Sequence, residues 1–493
     1  MTQKESRAGV SAMSLYLPRF RVQLEDWCHW TGNSWDKVQA VVGRSFRVCG
    51  EHENVYTMAA NAVLRLILQN EIDPRTVAFL GFGTESSTDN AAGAVIIRGM
   101  IDRALDKHAL PRLSRHLEVP EFKHACLAGI YALKSAIRFV MTDGNERRAI
   151  VVCADVAEYE RGSSGEQTQG AGAVAMLIEA KPRLFEVDLL NAGSASDYRG
   201  PDFRKPFARH FTDEYAQRNS RMSDFPIFSG KYSTFAYVDE IAQAVENMLE
   251  KLGVSPGKYY KSVRGIFFHR PYHQMPIQAM SFLYVRGMAR GVHHHDELRE
   301  LCREAGVAYE EVVKESHSSP DLYAQVLACG QMVEDPYRGT NQVACVLRKR
   351  ASFRELLQEK VSLGSSLITH FGNLYSAALP AWLAAGFEEA EQRAMEIADS
   401  PMVAIGYGSG DAAEAIPISP VTGWQKAAKT IGIGQALADP IDLRRNQYEA
   451  LHDGRELVDL EYFPQQEFVI SHVGGLYEQG FQDLAVEYYD YVP

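Results

Sequence analysis

Between Leu117 and Val140 the chain reads LEVPEFKHACLAGIYALKSAIRFV, and few folds can house such a stretch. A short apolar lead-in reaches Cys126, and a run with helical spacing follows at once. Ala125, Ala128, Gly129, Ala132 and Ala136 are small, while Ile130, Leu133, Ile137 and Val140 supply bulk three and four residues apart. Small residues let neighbouring backbone approach closely, so the pattern predicts a buried central helix. A cysteine at the start of that helix lies in the positive end of the helix dipole, which favours thiolate and makes a nucleophile. Free cysteines are also among the most buried residues and mostly just pack. On this helix alone, packing is the better reading.

The 493 residues, 46% of them hydrophobic, suffice for a large core in two domains or a duplicated one. A net charge of −12 argues against nucleic acid or an anionic membrane as the main partner, since both want a basic face. The seven cysteines (Cys28, Cys49, Cys126, Cys153, Cys302, Cys329, Cys345) are scattered, with no CxxC or CxxxC pair. Neither a zinc knuckle nor a disulfide framework is expected, and a reducing, cytoplasmic setting fits. The first 18 residues lack a basic region followed by an apolar core, so no secretory signal is expected. No run approaches the ~18 apolar residues of a membrane span.

Taken in order, Val10–Leu17 predicts a strand ended by Pro18, and Asn54–Leu68 predicts a helix leading into a strand over Val77–Phe82. That strand empties into GTESSTDN, residues 83 to 90, where Glu85 is the only strong acid–base candidate, although in isolation a solvated loop glutamate is the better reading. Ala149–Asp155 reads as a buried parallel-type strand. A Gly/Ser-rich loop then runs into another apolar strand, with Gly170 and Gly172 implying backbone packed against something. Its GxG lacks the strand–GxGxxG–helix context of a dinucleotide site. Arg204 and Lys205 in DFRKP could meet phosphate, although solvation is the plainer reading.

The second half repeats this order. Val263–Phe268 predicts a strand ending at His269, where Glu85 stood. Leu367–Phe387 is a small-residue apolar segment with Asn373 in the place of Cys126, its helical continuity interrupted by Pro380. Pro401–Tyr407 predicts a strand running into GSGDAAEA. Three elements recurring in order suggest a duplication that sets two special helix starts face to face. A charged, helix-rich insertion intervenes, holding His293, His294 and His295; a solvated turn is the better reading of these than a metal site. Glu467–Val473 predicts a last strand, and the remainder a weakly ordered finish.

Together these residues resemble the 3-hydroxy-3-methylglutaryl-CoA synthase family of the thiolase-like superfamily. The resemblance runs through GTESSTDN, KHACLAGIYAL, EYERGSSGEQTQGAGAVAM, DFRKP, FHRPYHQMP, HFGNLYSAAL and YGSGDAAE, in that order. It implies a thiolase-like five-layer αβαβα fold of two duplicated halves, residues 1–180 and 181–493 with an insertion around 291–350, usually as a homodimer. It implies that Cys126 takes an acetyl group from a thioester, that Glu85 is the acid–base of carbon–carbon bond formation, and that His269 and Asn373 bind the acceptor. The N–H groups of Cys126 and Ser409 would form the oxyanion hole, with Tyr159, Thr168, Ser233, Tyr375 and Ser409 lining the pocket. Neither a cofactor nor a metal is implied beyond the thioester substrates.

Three departures touch the entrance rather than the chemistry. Gln274 stands where many members carry a lysine for CoA phosphate, Leu127 replaces an aromatic residue, and the insertion is long. They leave two enzymatic readings. One makes HMG-CoA from acetyl-CoA and acetoacetyl-CoA for the mevalonate pathway. The other is a β-branching relative acting on a β-keto polyketide chain held by an acyl carrier protein. A thiolase-like protein without catalysis fits poorly with Glu85, Cys126, His269 and Asn373 all present.

Overall fold

The first apolar run forms β1 (Gly9–Tyr16), buried along its whole length. The computed structural model describes residues 8–88, 92–144, 146–205, 225–227, 229–291, 294–331, 334–455, 457 and 459–493; His293 lies outside them. Asn54 caps α1 (Val55–Gln69) by accepting from the Tyr56 and Thr57 N–H groups, and β2 (Val77–Gly83) follows. Then come α2 (Ala128–Met141), β3 (Arg148–Ala157), β4 (Gly170–Glu179), β5 (Phe185–Val187) and β6 (Gly193–Ser196). The second half continues with α3 (Lys231–Leu252), β7 (Gly265–Phe268) and α4 (Gln274–Arg290). The insertion supplies α5 (His295–Ala305), α6 (Tyr309–Ser316), α7 (Leu322–Cys329) and α8 (Arg338–Leu347). After it lie α9 (Ala378–Gln392), β8 (Met402–Gly408), β9 (Ala412–Pro420), β10 (Glu467–Val473) and β11 (Glu487–Val492).

Strand pairing shows the duplication directly. β1 pairs antiparallel with β4, β4 antiparallel with β3, and β3 parallel with β2. In the same sense β6 pairs antiparallel with β9, β9 antiparallel with β8, and β8 parallel with β7. Helix α1 links β1 to β2 as α3 leads from β6 towards β7, and α2 links β2 to β3 as α9 leads into β8. β5 bonds β1 on one side and β9 on the other, joining both sets into one path.

Because strand side chains alternate, each strand of the first half faces two cores. Ile150, Val152 and Ala154 of β3 pack with Met58, Ala62 and Leu66 of α1. Ala149, Val151 and Cys153 face Ile130, Leu133 and Ile137 of α2, in a core that also takes in α3 and α9. The layer order is therefore α1, sheet, α2 with α9, sheet, α3.

Several expectations need correction. β3 is parallel only to β2 and antiparallel to β4, so its unalternating apolar run reflects burial on both faces rather than an all-parallel sheet. Asn373 does not begin a helix: it lies in a turn, a one-turn 3₁₀ helix follows at Tyr375–Ala377, and α9 starts at Ala378. Pro380 falls in the first turn of α9, where a missing N–H costs no intrahelical bond. The tail is ordered: β11 pairs with β10, and Tyr477–Glu478 pairs with Phe481–Gln482. Phe468 N–H donates to Asn61 Oδ1 at 3.0 Å, holding β10 on α1.

His294 pairs with Glu297 at 3.4 Å and His295 meets the Tyr309 hydroxyl at 2.8 Å. Among the described residues no group of three or more His, Cys, Asp or Glu is arranged to hold a metal. No described helix is long and apolar enough to cross a membrane, and all seven cysteines are free.

Candidate active site

Two glycines close the floor of the site. A Cβ on Gly83, at the end of β2, would lie 2.6 Å from the Gly129 Cα of α2. One on Gly129 would lie 2.5 Å from the Cys153 Sγ and 2.7 Å from the Ser376 carbonyl. The ends of β2, β3 and α2 and the Ser376 turn therefore meet at backbone distance. Residues 84–86 leave β2 at this point, and one buried side chain fixes them. Asp155 Oδ1 accepts from Thr84 Oγ1 (2.9 Å), Glu85 N–H (2.8 Å), Ser86 N–H (2.8 Å) and Ser86 Oγ (2.7 Å). Its Oδ2 accepts from the Ser376 N–H at 2.9 Å and from the Ser376 hydroxyl. Asp155 thus ties the Glu85 loop of the first half to the turn after Asn373 in the second.

Cys126 sits two residues ahead of α2, after Ala125 at φ 43°, and its thiol donates to Glu85 Oε2 at 3.1 Å. Burial and then the Asp155 charge raise the Glu85 carboxyl to about 7, against smaller lowering effects from the Cys126 hydrogen bond and Lys205. Burial and then Glu85 push the Cys126 thiol well above the usual thiol range. This corrects the sequence expectation of a dipole-stabilised thiolate. Cys126 precedes the first helical turn and faces a carboxylate, so the resting group is a thiol that donates a hydrogen bond.

His269 follows β7 directly, with its N–H on the Ile405 carbonyl at 2.6 Å and its own carbonyl accepting from Tyr237 at 2.8 Å. Burial lowers its imidazole to about 3, so the ring is neutral. The ring lies over Tyr407 at 6.4 Å, and neither ring nitrogen meets a protein partner among the described residues. Asn373 is held by its N–H on the Thr168 carbonyl at 3.1 Å, and its Oδ1 accepts from the Tyr375 N–H at 2.9 Å. Gly170 packs on that turn as its sequence context implied, because a Cβ there would lie 2.5 Å from the Asn373 carbonyl.

A cavity of about 330 Å³ is lined by Cys126, Tyr159, Thr168, Ser233, His269, Asn373 and Ser409, together with Phe203, Tyr237, Tyr272 and Tyr407. Glu85 reaches it through the thiol. Tyr375 clusters with Cys126 and Tyr159, its ring edge-on to Tyr159 at 6.4 Å. All nine candidate residues are thus brought to one place. Arg204 is exposed, with one nitrogen donating to the Gly200 carbonyl at 3.3 Å, and Gln274 heads α4. Leu127 is fully buried, facing Gly406 and Gly408 of β8. Sequence reading missed Asp155, whose one signal was a carboxylate closing a buried apolar strand. It also missed the aromatic wall of Tyr237, Tyr272 and Tyr407.

Residues 4–182 match the family model "Hydroxymethylglutaryl-coenzyme A synthase N terminal". A hydroxymethylglutaryl-CoA synthase of Haloferax volcanii is 26% identical over 439 residues, 87% of this chain and 88% of that protein. The mitochondrial enzyme of Sus scrofa is 24% identical over 416 residues, 82% of this chain and 72% of that one. Among solved structures, MvaS in complex with 3-hydroxy-3-methylglutaryl coenzyme A superposes with a TM-score of 0.74 at 22% identity, covering 99% of each chain. The curacin-pathway HMG synthase in complex with apo donor-ACP gives 0.70 at 18% identity over 99% of this chain and 100% of that one. The fold is thiolase-like, and the chain is similar to hydroxymethylglutaryl-CoA synthases over most of its length.

Proposed function

We propose that this protein is an acyltransferase that loads acetyl onto Cys126 and condenses it with a β-keto acyl thioester such as acetoacetyl-CoA, giving HMG-CoA for the mevalonate pathway. The observation that carries this reading is the Cys126 thiol donating to a carboxyl raised to about 7, in a cavity that also receives a neutral histidine and an asparagine.

In the first step the Cys126 sulfur attacks the thioester carbonyl, and its proton passes by way of Glu85 to the departing thiol. The N–H groups of Cys126 and Ser409 receive the negative charge that develops on oxygen. Support comes from Gly408, where a Cβ would lie 2.6 Å from the His124 carbonyl, so the end of β8 abuts the Cys126 turn. With acetyl in place, Glu85 as carboxylate removes a methyl proton. A group near pH 7 suits a proton that is taken once and returned once. The resulting carbanion attacks the acceptor's β-keto carbon, whose oxygen is polarised by the His269 N–H and receives from Glu85 the proton taken from the methyl group. Asn373 orients the acceptor thioester, and water then releases the product from Cys126 as a free carboxylate. Tyr159, Thr168, Ser233, Tyr375 and Ser409 shape the pocket around the acyl and pantetheine portions.

The carrier is the open branch. Gln274 rather than a lysine at the head of α4 favours a reading in which donor or acceptor rides on an acyl carrier protein. We place the boundary between halves at residues 180/181 and expect a homodimer in a reducing, cytoplasmic compartment. The experiment is to supply acetyl-CoA or an acetyl-carrier protein with acetoacetyl thioester and to follow the hydroxymethylglutaryl thioester by mass spectrometry. Formation from CoA substrates supports the first branch, and formation only from carrier-bound substrates supports the second. No product from either donor set counts against the assignment.

A further inference from the structure

One buried ion pair joins the two halves away from the reacting groups. Lys134 Nζ on α2 lies 2.6 Å from Glu414 Oε1 on β9, with the two side chains 8% and 3% exposed. Ser194 Oγ on β6 donates to the other Glu414 oxygen at 2.9 Å. Lys134 belongs to the face of α2 that meets the second half. Gly408 of β8 packs on the His124 carbonyl and on Leu127, and Gly406 packs on Leu127 and Ile130. Leu127, Ile130 and Lys134, three and four residues apart, therefore form one stripe along β8 and β9. Glu414 is the strand partner of Gly406. The apolar part of the stripe rests on two glycines with no side chains to interlock, so helix and strand could slide there. Among the described residues the directional contacts given along it come from Lys134: the ion pair, and a hydrogen bond from its Nζ to Ser194 Oγ at 3.5 Å.

We propose that Lys134 and Glu414 are positioning residues: their pair sets the register of α2 against β8 and β9, and so holds the Cys126 turn against Ser409. The proposal rests on the acyl-enzyme reading given above. A buried ion pair is weak evidence for stability, since desolvating both charges offsets their attraction, and apolar replacement of both is often neutral. Register is a different matter. A misplacement of about 1 Å at a reacting centre can cost about 100-fold in rate without touching the reacting groups.

The test is the double variant Lys134→Met/Glu414→Leu, which removes both charges and leaves neither stranded. Its thermal midpoint should stay within a few degrees of wild type, while the maximal rate of Cys126 acetylation falls about tenfold or more. The donor concentration giving half that rate should stay within about twofold. Amide exchange should quicken in residues 124–133 and 406–411 and stay unchanged in α1. A double variant that acetylates at the wild-type rate overturns the proposal. So does a slower variant whose α1 also loses protection, the mark of a general loss of stability. If the wild-type protein itself takes no acetyl group, the acyl-enzyme reading fails separately and the exchange data decide. Protection lost only at the two turns then supports positioning, and unchanged protection removes it.

Discussion

Replacing Glu85 by glutamine should move stability and function in opposite directions. The wild-type carboxyl titrates at about 7 in the folded protein against an ordinary value of 4.5. Between those two pH values the folded state binds more protons than the unfolded one, so Glu85 makes stability fall as pH rises. The full difference of about 2.5 pH units corresponds to roughly 3 kcal/mol above pH 7. Glutamine keeps the shape and an acceptor oxygen for the Cys126 thiol but never ionises. The variant should match wild type in urea denaturation at about pH 4 and exceed it by up to roughly 3 kcal/mol at pH 8. Condensation should meanwhile fall about 10²–10⁴-fold, the usual contribution of an acid–base group. Acetyl-enzyme should still form, more slowly because Glu85 no longer relays the thiol proton, and then persist when acceptor is added. Stability curves that stay parallel between pH 5 and 8 would refute the electrostatic argument. Near wild-type condensation would remove Glu85 from the mechanism.

Other perturbations probe the scaffold around it. Asp155→Asn turns an NH₂ toward backbone and hydroxyl donors, and should cost on the order of 3 kcal/mol in urea denaturation along with most of the condensation rate. Gly170→Ala places a methyl 2.5 Å from the Asn373 carbonyl; about 1–3 kcal/mol of stability should be lost, and acceptor use should suffer more than acetylation when the two steps are timed separately. Iodoacetamide should label Cys126, which lines the cavity, faster than the fully buried Cys153, with a rate still rising at pH 9 because the thiol is raised. Equal labelling of the two would count against an accessible nucleophile.

The candidate residues that the structure brings together were picked out in the chain by pattern and resemblance combined. Glu85 and His269 each follow a short apolar strand, and Cys126 directly precedes a small-residue helix, which makes them candidates; their roles came from the ordered resemblance to a family, since local pattern alone favours plain packing or solvation. Asp155 was not legible, because its role exists only where residues 84–86 and Ser376, from opposite halves, converge on one carboxylate. The state of the Cys126 thiol was misread for a related reason. A helix start predicts thiolate, but the spatial neighbour of the sulfur is Glu85, 41 residues earlier in the chain. The final strand β11 escaped notice because the tail is polar and aromatic. Its partner β10 and the flank of α1 supply the order that its own composition lacks.

The central claim is an acetyl group carried on Cys126, and intact-mass analysis tests it most directly. Protein mixed with acetyl-CoA or acetyl-carrier protein at neutral pH and quenched in acid should gain the mass of one acetyl group. Peptide mapping should place that group on Cys126, and acceptor thioester should discharge it. Cys126→Ala, a small change in a tightly packed turn, should fold and gain nothing. Acetyl on another residue, or equal acetylation of the Cys126→Ala variant, would contradict the account.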